Sequence, residues 1–203
     1  MIRNFVFDFG NVLVDWHPIP YIMSVFGCTE ETAREYDSRI FKSREWRDEG
    51  VGAFGRDHTR AELIGKYPDD AENMAKLIDG APGMLVEYRY NTEILRKLKS
   101  LGYGLYYLSN TNLPDYEYII GNCSFFPLMD GGLASFMEKM VKPSHSIFEL
   151  FAKRYDKNPR ECCFIDDMEV NTLAASEVGF EVITLKNPSE LGRLISKKAG
   201  VEV

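Results

Sequence analysis

The sequence predicts an α/β fold in which helices wrap a parallel β-sheet and a helical insert follows the first strand. Two observations carry this prediction. Short apolar runs that end in polar residues alternate with segments of helical periodicity, which is the pattern of strand–helix–strand units. Between the first and second of these runs, residues 16–82 show no convincing strand. A chain of 203 residues is long enough for one or two domains.

Four runs are predicted to be buried strands. They are "IRNFVFD" (2–8), "YGLYYLSN" (103–110), "ECCFIDD" (161–167) and "FEVITL" (180–185). Each is short, contains β-branched or aromatic residues and is bounded by glycine or polar residues. Because helical segments separate them, we expect the strands to pair in parallel.

Three amphipathic segments are predicted to be the helices that connect these strands. Segment 91–102 places apolar side chains on one face and ends at Gly102, a residue typical of a helix C-cap. Segment 143–155 has the same periodicity. Segment 169–179 ends at Gly179.

The segment from Trp16 to Pro82 is predicted to be entirely helical, with helices near 19–26, 30–38, 52–65 and 70–79. Gly27, Gly50 and Pro68 mark the breaks between them. We therefore expect an α/β core formed by residues 1–15 and 83–203, and a helical cap domain formed by residues 16–82 over the carboxyl edge of the sheet.

Composition narrows the class of partner. The net charge is -7, which argues against nucleic acid, whereas a small phosphorylated metabolite needs only a local positive site. No apolar stretch is long enough to span a membrane, and no secretory signal precedes Asp8. The four cysteines, none in a C-x-x-C pair, are expected to be reduced. We expect a cytoplasmic monomer or homodimer.

Polar residues stand at the ends of the predicted strands. In "FVFDFGNVLVDW" (5–16), Asp8 ends an apolar run, and a desolvated carboxylate there needs a metal, a lysine or backbone N–H groups. The other strand ends supply Ser109, Asn110, Asp166 and Asp167, and a lysine, Lys142, precedes a predicted helix in "VKPS". Ligands of open parallel sheets bind at this edge.

Taken singly, these residues have ordinary structural explanations. Ser109 and Asn110 suit a loop, Lys142 suits a solvated surface, and the acidic pair suits a helix N-cap. Taken together, adjacent carboxylates repel and require a cation. Three carboxylates favour Mg²⁺ over Zn²⁺, and a carboxylate can attack a phosphoryl group.

Four segments in this order resemble the haloacid dehalogenase superfamily: "FVFDFGNVLVDW", "LYYLSNTN", "MVKPSHSIFE" and "CFIDDMEVN". The resemblance spans the chain and implies a Rossmann-like core with a cap inserted after the first strand. It also implies a Mg²⁺-dependent phosphatase that works through an aspartyl-phosphate on Asp8.

The resemblance also implies a role for each motif residue. Ser109 and Lys142 would bind the phosphate, with Asn110 beside them in the substrate site. The metal ligands would be Asp8, the backbone carbonyl of Gly10, and Asp167 with or without Asp166. Asn171 lies where a further acidic residue often supports the metal site.

Gly10 departs from the usual pattern, in which a second aspartate serves as general acid and base two positions after the nucleophile. The sequence "DFGNV" resembles a bacterial branch that includes α-D-glucose-1-phosphate phosphatases, which implies a sugar phosphate as substrate. The proton donor stays open between His17, a water on the metal and a residue of the cap. In the cap, Arg44, Trp46 and Arg47 are candidates for phosphate and sugar contacts.

Three alternatives remain open. A 2-haloacid dehalogenase needs no proton donor, but the acidic pair argues against it because displacing halide needs no metal. A catalytically silent binding or regulatory protein would be expected to have lost some of the motif residues. A receiver-type signalling domain would carry its acidic pair after the first strand, whereas here the pair comes late in the chain.

Overall fold

The computed structural model describes all residues, 1–203. Its centre is a five-stranded, fully parallel sheet with strand order β3-β2-β1-β4-β5. The strands are β1 (Asn4–Phe7), β2 (Gly104–Ser109), β3 (Gly131–Ala134), β4 (Cys162–Asp166) and β5 (Glu181–Thr184). The predicted α/β, Rossmann-like fold class is confirmed.

Helices surround the sheet and fill the insert. They are α1 (Pro18–Phe26), α2 (Glu30–Arg39), α3 (Arg44–Gly50), α4 (Arg56–Lys66), α5 (Ala71–Gly80), α6 (Arg89–Ser100), α7 (Leu113–Asn122), α8 (Ser135–Glu138), α9 (His145–Arg154), α10 (Glu169–Val178) and α11 (Leu191–Ala199). None of them has the length and apolar character needed to cross a bilayer.

The sheet divides the core into two apolar layers because successive side chains of a strand point to opposite faces. Phe5 and Phe7 of β1 pack into one layer, and Val6 between them packs into the other with Phe164 of β4. All four side chains are fully buried. This burial explains why the strands appear in the sequence as continuous apolar runs.

Residues 16–82, which we call the helical insert, contain α1 to α5 and no strand of the sheet. They have an apolar cluster of their own, in which Ile22, Leu63, Met74 and Leu77 are at most 1% exposed. The division into a core and a cap domain, with boundaries at 15/16 and 82/83, stays a prediction.

Five elements were not predicted, namely β3, α3, α7, α8 and α11. The edge strand β3 begins with Gly131 and Gly132, so it lacks the β-branched signal of a strand; a Cβ on Gly132 would lie 2.3 Å from the Tyr107 ring. Helix α3 has seven residues, too few to show periodicity, and begins where the Ser43 hydroxyl accepts a hydrogen bond from the Trp46 N–H.

The strand register brings distant residues to one edge. Phe7 is paired with Tyr107 on one side and with Ile165 on the other. The next residues of these three strands, which include Asp8, Ser109 and Asp166, therefore leave the sheet side by side at its carboxyl edge.

Candidate active site

The ammonium group of Lys142 is the electrostatic centre of this edge. Its Nζ lies 2.9 Å from Asp8 Oδ2 and 2.6 Å from Asp166 Oδ2. The Lys142 side chain is 1% exposed and the Asp166 side chain 0%, so a buried cation is held by two carboxylates. Lys142 needs at least one of the two carboxylates, because removing both would leave a buried, uncompensated charge.

Burial and charge shift the pKa values of this pair in predictable directions. Desolvation raises the pKa of Asp8 to about 7, although Lys142 and the Ser109 hydroxyl both act to lower it. Burial acts to lower the pKa of Lys142, but Asp8 and Asp166 outweigh it and the pKa is raised. Lys142 is therefore a permanent cation at neutral pH.

Asp166 is saturated by hydrogen bonds from the protein. The Asn171 side-chain amide donates to both of its oxygens, at 3.0 and 3.1 Å. The Met168 N–H donates to Oδ1 at 2.8 Å, and Lys142 occupies Oδ2. Asn171 thus orients Asp166, and Asp166 in turn orients Lys142.

Asp167, by contrast, is partly exposed and lines the cleft above Asp8. Its Oδ2 accepts a hydrogen bond from the Asn11 side chain at 3.0 Å. The Asn11 side-chain oxygen, Oδ1, in turn accepts a hydrogen bond from the Trp16 N–H at 3.1 Å. Asn11 adopts the left-handed conformation, with φ 55°, and this conformation aims its amide between Asp167 and the start of the insert.

The donor set fits a hard divalent cation. Oxygen atoms of Asp8, Asp166 and Asp167 lie within 4.8 Å of one another. A single lysine, Lys142, pairs with two of these three carboxylates, so the cluster carries excess negative charge. Carboxylate oxygens are the ligands that Mg²⁺ prefers.

Asn110 holds the backbone of Lys142. Its Nδ2 donates to the Lys142 carbonyl at 3.0 Å, and its Oδ1 accepts from the Lys142 N–H at 2.9 Å. Ser109, one residue earlier, is 2% exposed and lines the same cleft. The expected site residues at the three strand ends therefore lie close together. Both polar atoms of the Asn110 amide bond the backbone of Lys142 and so hold the lysine in position.

Gly10 stands where the second aspartate, the usual proton donor, was expected, and His17 is a candidate to replace it. A Cβ on Gly10 would meet the Trp16 Cβ at 3.5 Å, an ordinary contact, so nothing in the backbone requires glycine there. His17 is 56% exposed, pairs with Asp15 and does not line the cleft.

A cleft of about 470 Å³ opens from Asp8 toward the insert. Its wall on the insert side includes Trp16, Phe41 and Trp46. Arg47 also lines the cleft, whereas Arg44 is exposed and pairs with Asp48. The Trp46 ring is 7% exposed with the Arg56 guanidinium 4.5 Å above it, so that face is covered and is not a platform for a sugar.

Sequence reasoning missed several residues around the site. Asn11 stands inside the first motif, but only its left-handed conformation shows what it connects. Asp115 also lines the cleft, and Arg56 of the insert lies beside it. No motif joins these last two residues, because their contact arises from packing between the insert and the segment after β2.

Comparison with known proteins adds independent evidence. A model of haloacid dehalogenase-like hydrolases matches residues 2–179. The chain is 28% identical over 174 residues to a sesquiterpene phosphatase of Aspergillus oryzae, covering 86% of this chain and 85% of the relative. It is 26% identical over 204 residues to a D-ribitol-5-phosphate phosphatase of Bacteroides thetaiotaomicron, covering 94% and 95%.

A solved structure with the same architecture is a HAD-family enzyme of Bacteroides thetaiotaomicron in complex with magnesium. It is 25% identical, has a TM-score of 0.73, and the superposition covers 96% of this chain and 98% of that one. The resemblance to α-D-glucose-1-phosphate phosphatases stays a prediction. The family match over most of the chain agrees with the parallel sheet and with the convergence of the motif residues at its edge. The chain therefore belongs to the haloacid dehalogenase-like hydrolase family.

Proposed function

We propose that this protein is a Mg²⁺-dependent phosphatase that hydrolyses a small phosphorylated metabolite, specifically a sugar phosphate such as α-D-glucose 1-phosphate. One observation carries the proposal. A strand-end carboxylate, Asp8, lies 2.9 Å from a buried lysine and within reach of two further carboxylates at the mouth of a cleft. The relatives with phosphatase names support it.

In the proposed mechanism, Asp8 is the nucleophile. Its carboxylate oxygen forms a bond to phosphorus while the bond from phosphorus to the ester oxygen breaks. The leaving oxygen takes up a proton from the site, and the water that attacks in the second step returns one. Water then hydrolyses the aspartyl-phosphate, which releases phosphate and restores the carboxylate. The lysine ammonium has three N–H donors, of which Asp8 and Asp166 accept two. The third is available to a phosphate oxygen, and the Ser109 hydroxyl, which stabilises the Asp8 carboxylate, would donate to a phosphate oxygen when substrate is bound.

Asp8, Asp167 and the Gly10 carbonyl would hold the Mg²⁺, which when bound would neutralise phosphate charge. Asp166 is assigned the role of positioning Lys142, because the protein already hydrogen-bonds both of its oxygens. The helical insert is proposed to act as a cap that covers the substrate and excludes water from the edge of the sheet.

Release of inorganic phosphate from a panel of phosphorylated metabolites tests the proposal, with Mg²⁺ and with a chelator. We expect turnover that requires Mg²⁺ and is highest for a sugar phosphate. Phosphate release that survives exhaustive chelation would overturn the metal assignment. Chloride release from 2-chloropropionate without phosphatase activity would identify a dehalogenase, and inactivity on both would indicate a binding protein.

A further inference from the structure

A buried polar cluster lies between the helical insert and the segment after β2, away from the phosphate end of the cleft. It consists of Glu49 on α3, Arg56 on α4 and Asp115 on α7. The Arg56 Nε donates to Glu49 at 2.7 Å, and its Nη1 donates to the Ile78 carbonyl at 2.7 Å. The guanidinium therefore has its main partners within the insert.

Only one of the two carboxylate oxygens of Asp115 has a hydrogen-bond donor within the protein. Its Oδ2 accepts a hydrogen bond from the Asn112 amide at 3.0 Å. Its Oδ1 lies 3.7 Å from Arg56 Nη2, beyond hydrogen-bond distance, and neither atom has a hydrogen-bond partner within the protein. Asp115 is 4% exposed, so a buried carboxylate oxygen is left without a donor. Such a group costs about 1–3 kcal/mol, and native proteins keep few of them.

The surroundings of Asp115 suggest what supplies the missing donor. Asp115 lines the same cleft as Asp8, and the cleft lining includes the apolar side chains of Trp46, Leu85 and Ile119. The polar side chain of Asn112, which also lines the cleft, already donates to Asp115. Away from Asp8, Lys142 and Asp167, only Asp115 and Arg47 are charged among the lining residues. The unpaired Oδ1 is buried beside Arg56 Nη2, so a hydroxyl in the cleft would donate to Asp115 after the carboxylate turns toward the cleft, whereas a hydrocarbon chain would give it no donor.

We propose that Asp115 accepts a hydrogen bond from a hydroxyl of the alcohol part of the substrate and selects phosphate esters of polyhydroxylated alcohols against those of hydrocarbon alcohols. The inference rests on the proposed phosphatase function. It assigns to Asp115 the recognition of the alcohol that leaves when the phosphate ester is cleaved. A site built to bond a substrate hydroxyl rejects analogues that lack it far more strongly than an apolar pocket rejects an extra methylene, because the protein group is left unpaired.

The test uses pairs of substrates matched in shape. α-D-Glucose 1-phosphate is compared with cyclohexyl phosphate, and a pentitol 5-phosphate with n-pentyl phosphate. For the wild-type protein we expect kcat/KM to favour the hydroxylated member of at least one pair by a factor of about 100 or more. para-Nitrophenyl phosphate serves as a reference that lacks any alcohol hydroxyl.

Two variants probe the carboxylate. Asp115→Leu removes the acceptor and leaves Arg56 balanced by Glu49; we expect it to lower kcat/KM for the hydroxylated member by about 10- to 100-fold, as for loss of a hydrogen bond to a charged group. Turnover of the alkyl and nitrophenyl esters, which offer Asp115 no hydroxyl, should fall much less. Asp115→Asn retains an oxygen acceptor and should lose less. Asp57→Asn, an exposed neighbour of Arg56, is the matched control and should behave as wild type.

Two results would overturn the inference. One is equal hydrolysis of both members of each pair by the wild-type protein. The other is an equal loss for all esters in Asp115→Leu accompanied by a lower Tm, which would identify Asp115 as a structural residue. In both cases Mg²⁺-dependent release from para-nitrophenyl phosphate would leave the phosphatase function standing, whereas no phosphate release from any ester would refute that function itself.

Discussion

At the scale of single residues, Lys142 is the only ammonium group shared by Asp8 and Asp166, and Asp167 adds a third negative charge nearby. This excess of negative charge is consistent with the proposed binding of a cation together with a phosphate. The excess negative charge also determines how substitutions should behave. Removing one carboxylate reduces the repulsion among the remaining carboxylates, whereas removing Lys142 increases it.

Asp8→Asn should abolish turnover. An amide is a poor nucleophile, so kcat should fall by more than about 10³-fold, or roughly 4 kcal/mol of barrier. Thermal stability without metal should stay equal or rise, because Lys142 keeps Asp166 as its partner, and stabilisation by added Mg²⁺ should shrink. Steady-state kinetics and thermal melts with and without Mg²⁺ measure both effects. Full activity with a large loss of stability would instead make Asp8 a structural turn residue.

Gly10→Asp should fold without strain, because the added Cβ meets Trp16 only at 3.5 Å and the backbone needs no left-handed conformation there. If the position lacks only a proton donor, the new carboxylate should raise kcat for alkyl esters, whose leaving groups need protonation, by about 10²-fold or more. It should change turnover of para-nitrophenyl phosphate much less. Unchanged rates for every ester would show that another group handles the proton.

At the scale of elements, α3 of the insert approaches the core through the loop that follows it. Gly52 in this loop has φ +72°, and a Cβ on it would lie 2.1 Å from the Phe136 carbonyl oxygen of α8. The Ser135 hydroxyl of α8 also donates to the Gly50 carbonyl at 2.5 Å. Insert and core thus meet backbone to backbone beside the cleft wall that contains Trp46.

Gly52→Ala should therefore push the insert away from the core. We expect a loss of about 1–3 kcal/mol in the free energy of unfolding, from the left-handed conformation together with the clash. A rise in KM should accompany it, because α3 contributes to the cleft. Gly65→Ala is the contrast: Gly65 lies in α4 with open space around its Cβ position, so alanine should stabilise by about 0.5–1 kcal/mol. Chemical denaturation that ranks the two alike would contradict the argument.

An element can be predicted from the sequence when its burial leaves a recognisable pattern of apolar residues, and cannot when it depends on contacts with distant residues. β1, β2 and β4 were predictable because both faces are buried, which leaves an unbroken apolar run that ends in the site residues. β3 was not, since its glycines are there to admit Tyr107 and the Tyr155 hydroxyl, which bonds the N–H and the carbonyl of Gly132. The site residues at strand ends followed from topology. The contact of Arg56 with Asp115 did not, because only packing brings the two together.

At the scale of the whole molecule, the junction between insert and core contains a buried charged cluster that ties stability to pH. Burial raises the pKa of Asp115 to about 6, although Arg56 and the Asn112 amide act to lower it and Glu49 acts to raise it further. Because folding raises this pKa above the usual value of 3.8, the ionised form costs stability. The cost is absent below the unfolded pKa and develops as the pH rises through about 6.

Asp115→Asn should remove this dependence. The free energy of unfolding of the variant, relative to wild type, should rise between pH 4.5 and pH 7 by about 2 kcal/mol, measured by urea denaturation with a chelator present. Asp57→Asn, whose side chain is exposed, should give a difference that does not vary with pH. Parallel pH profiles for Asp115→Asn and wild type would contradict the expected titration.

Asn11 gives the molecule a mechanical coupling. Its side-chain amide donates to Asp167 and accepts from the Trp16 N–H. These two hydrogen bonds connect the acidic edge of the sheet to the first residue of the insert. Rotation of the insert about that point cannot leave Asp167 undisturbed while both hydrogen bonds persist. By thermodynamic reciprocity, whatever factor closure of the insert applies to the affinity for a cation at Asp167, the cation applies to closure. If the insert closes over the proposed site, we expect release of product and release of the ion to be coupled.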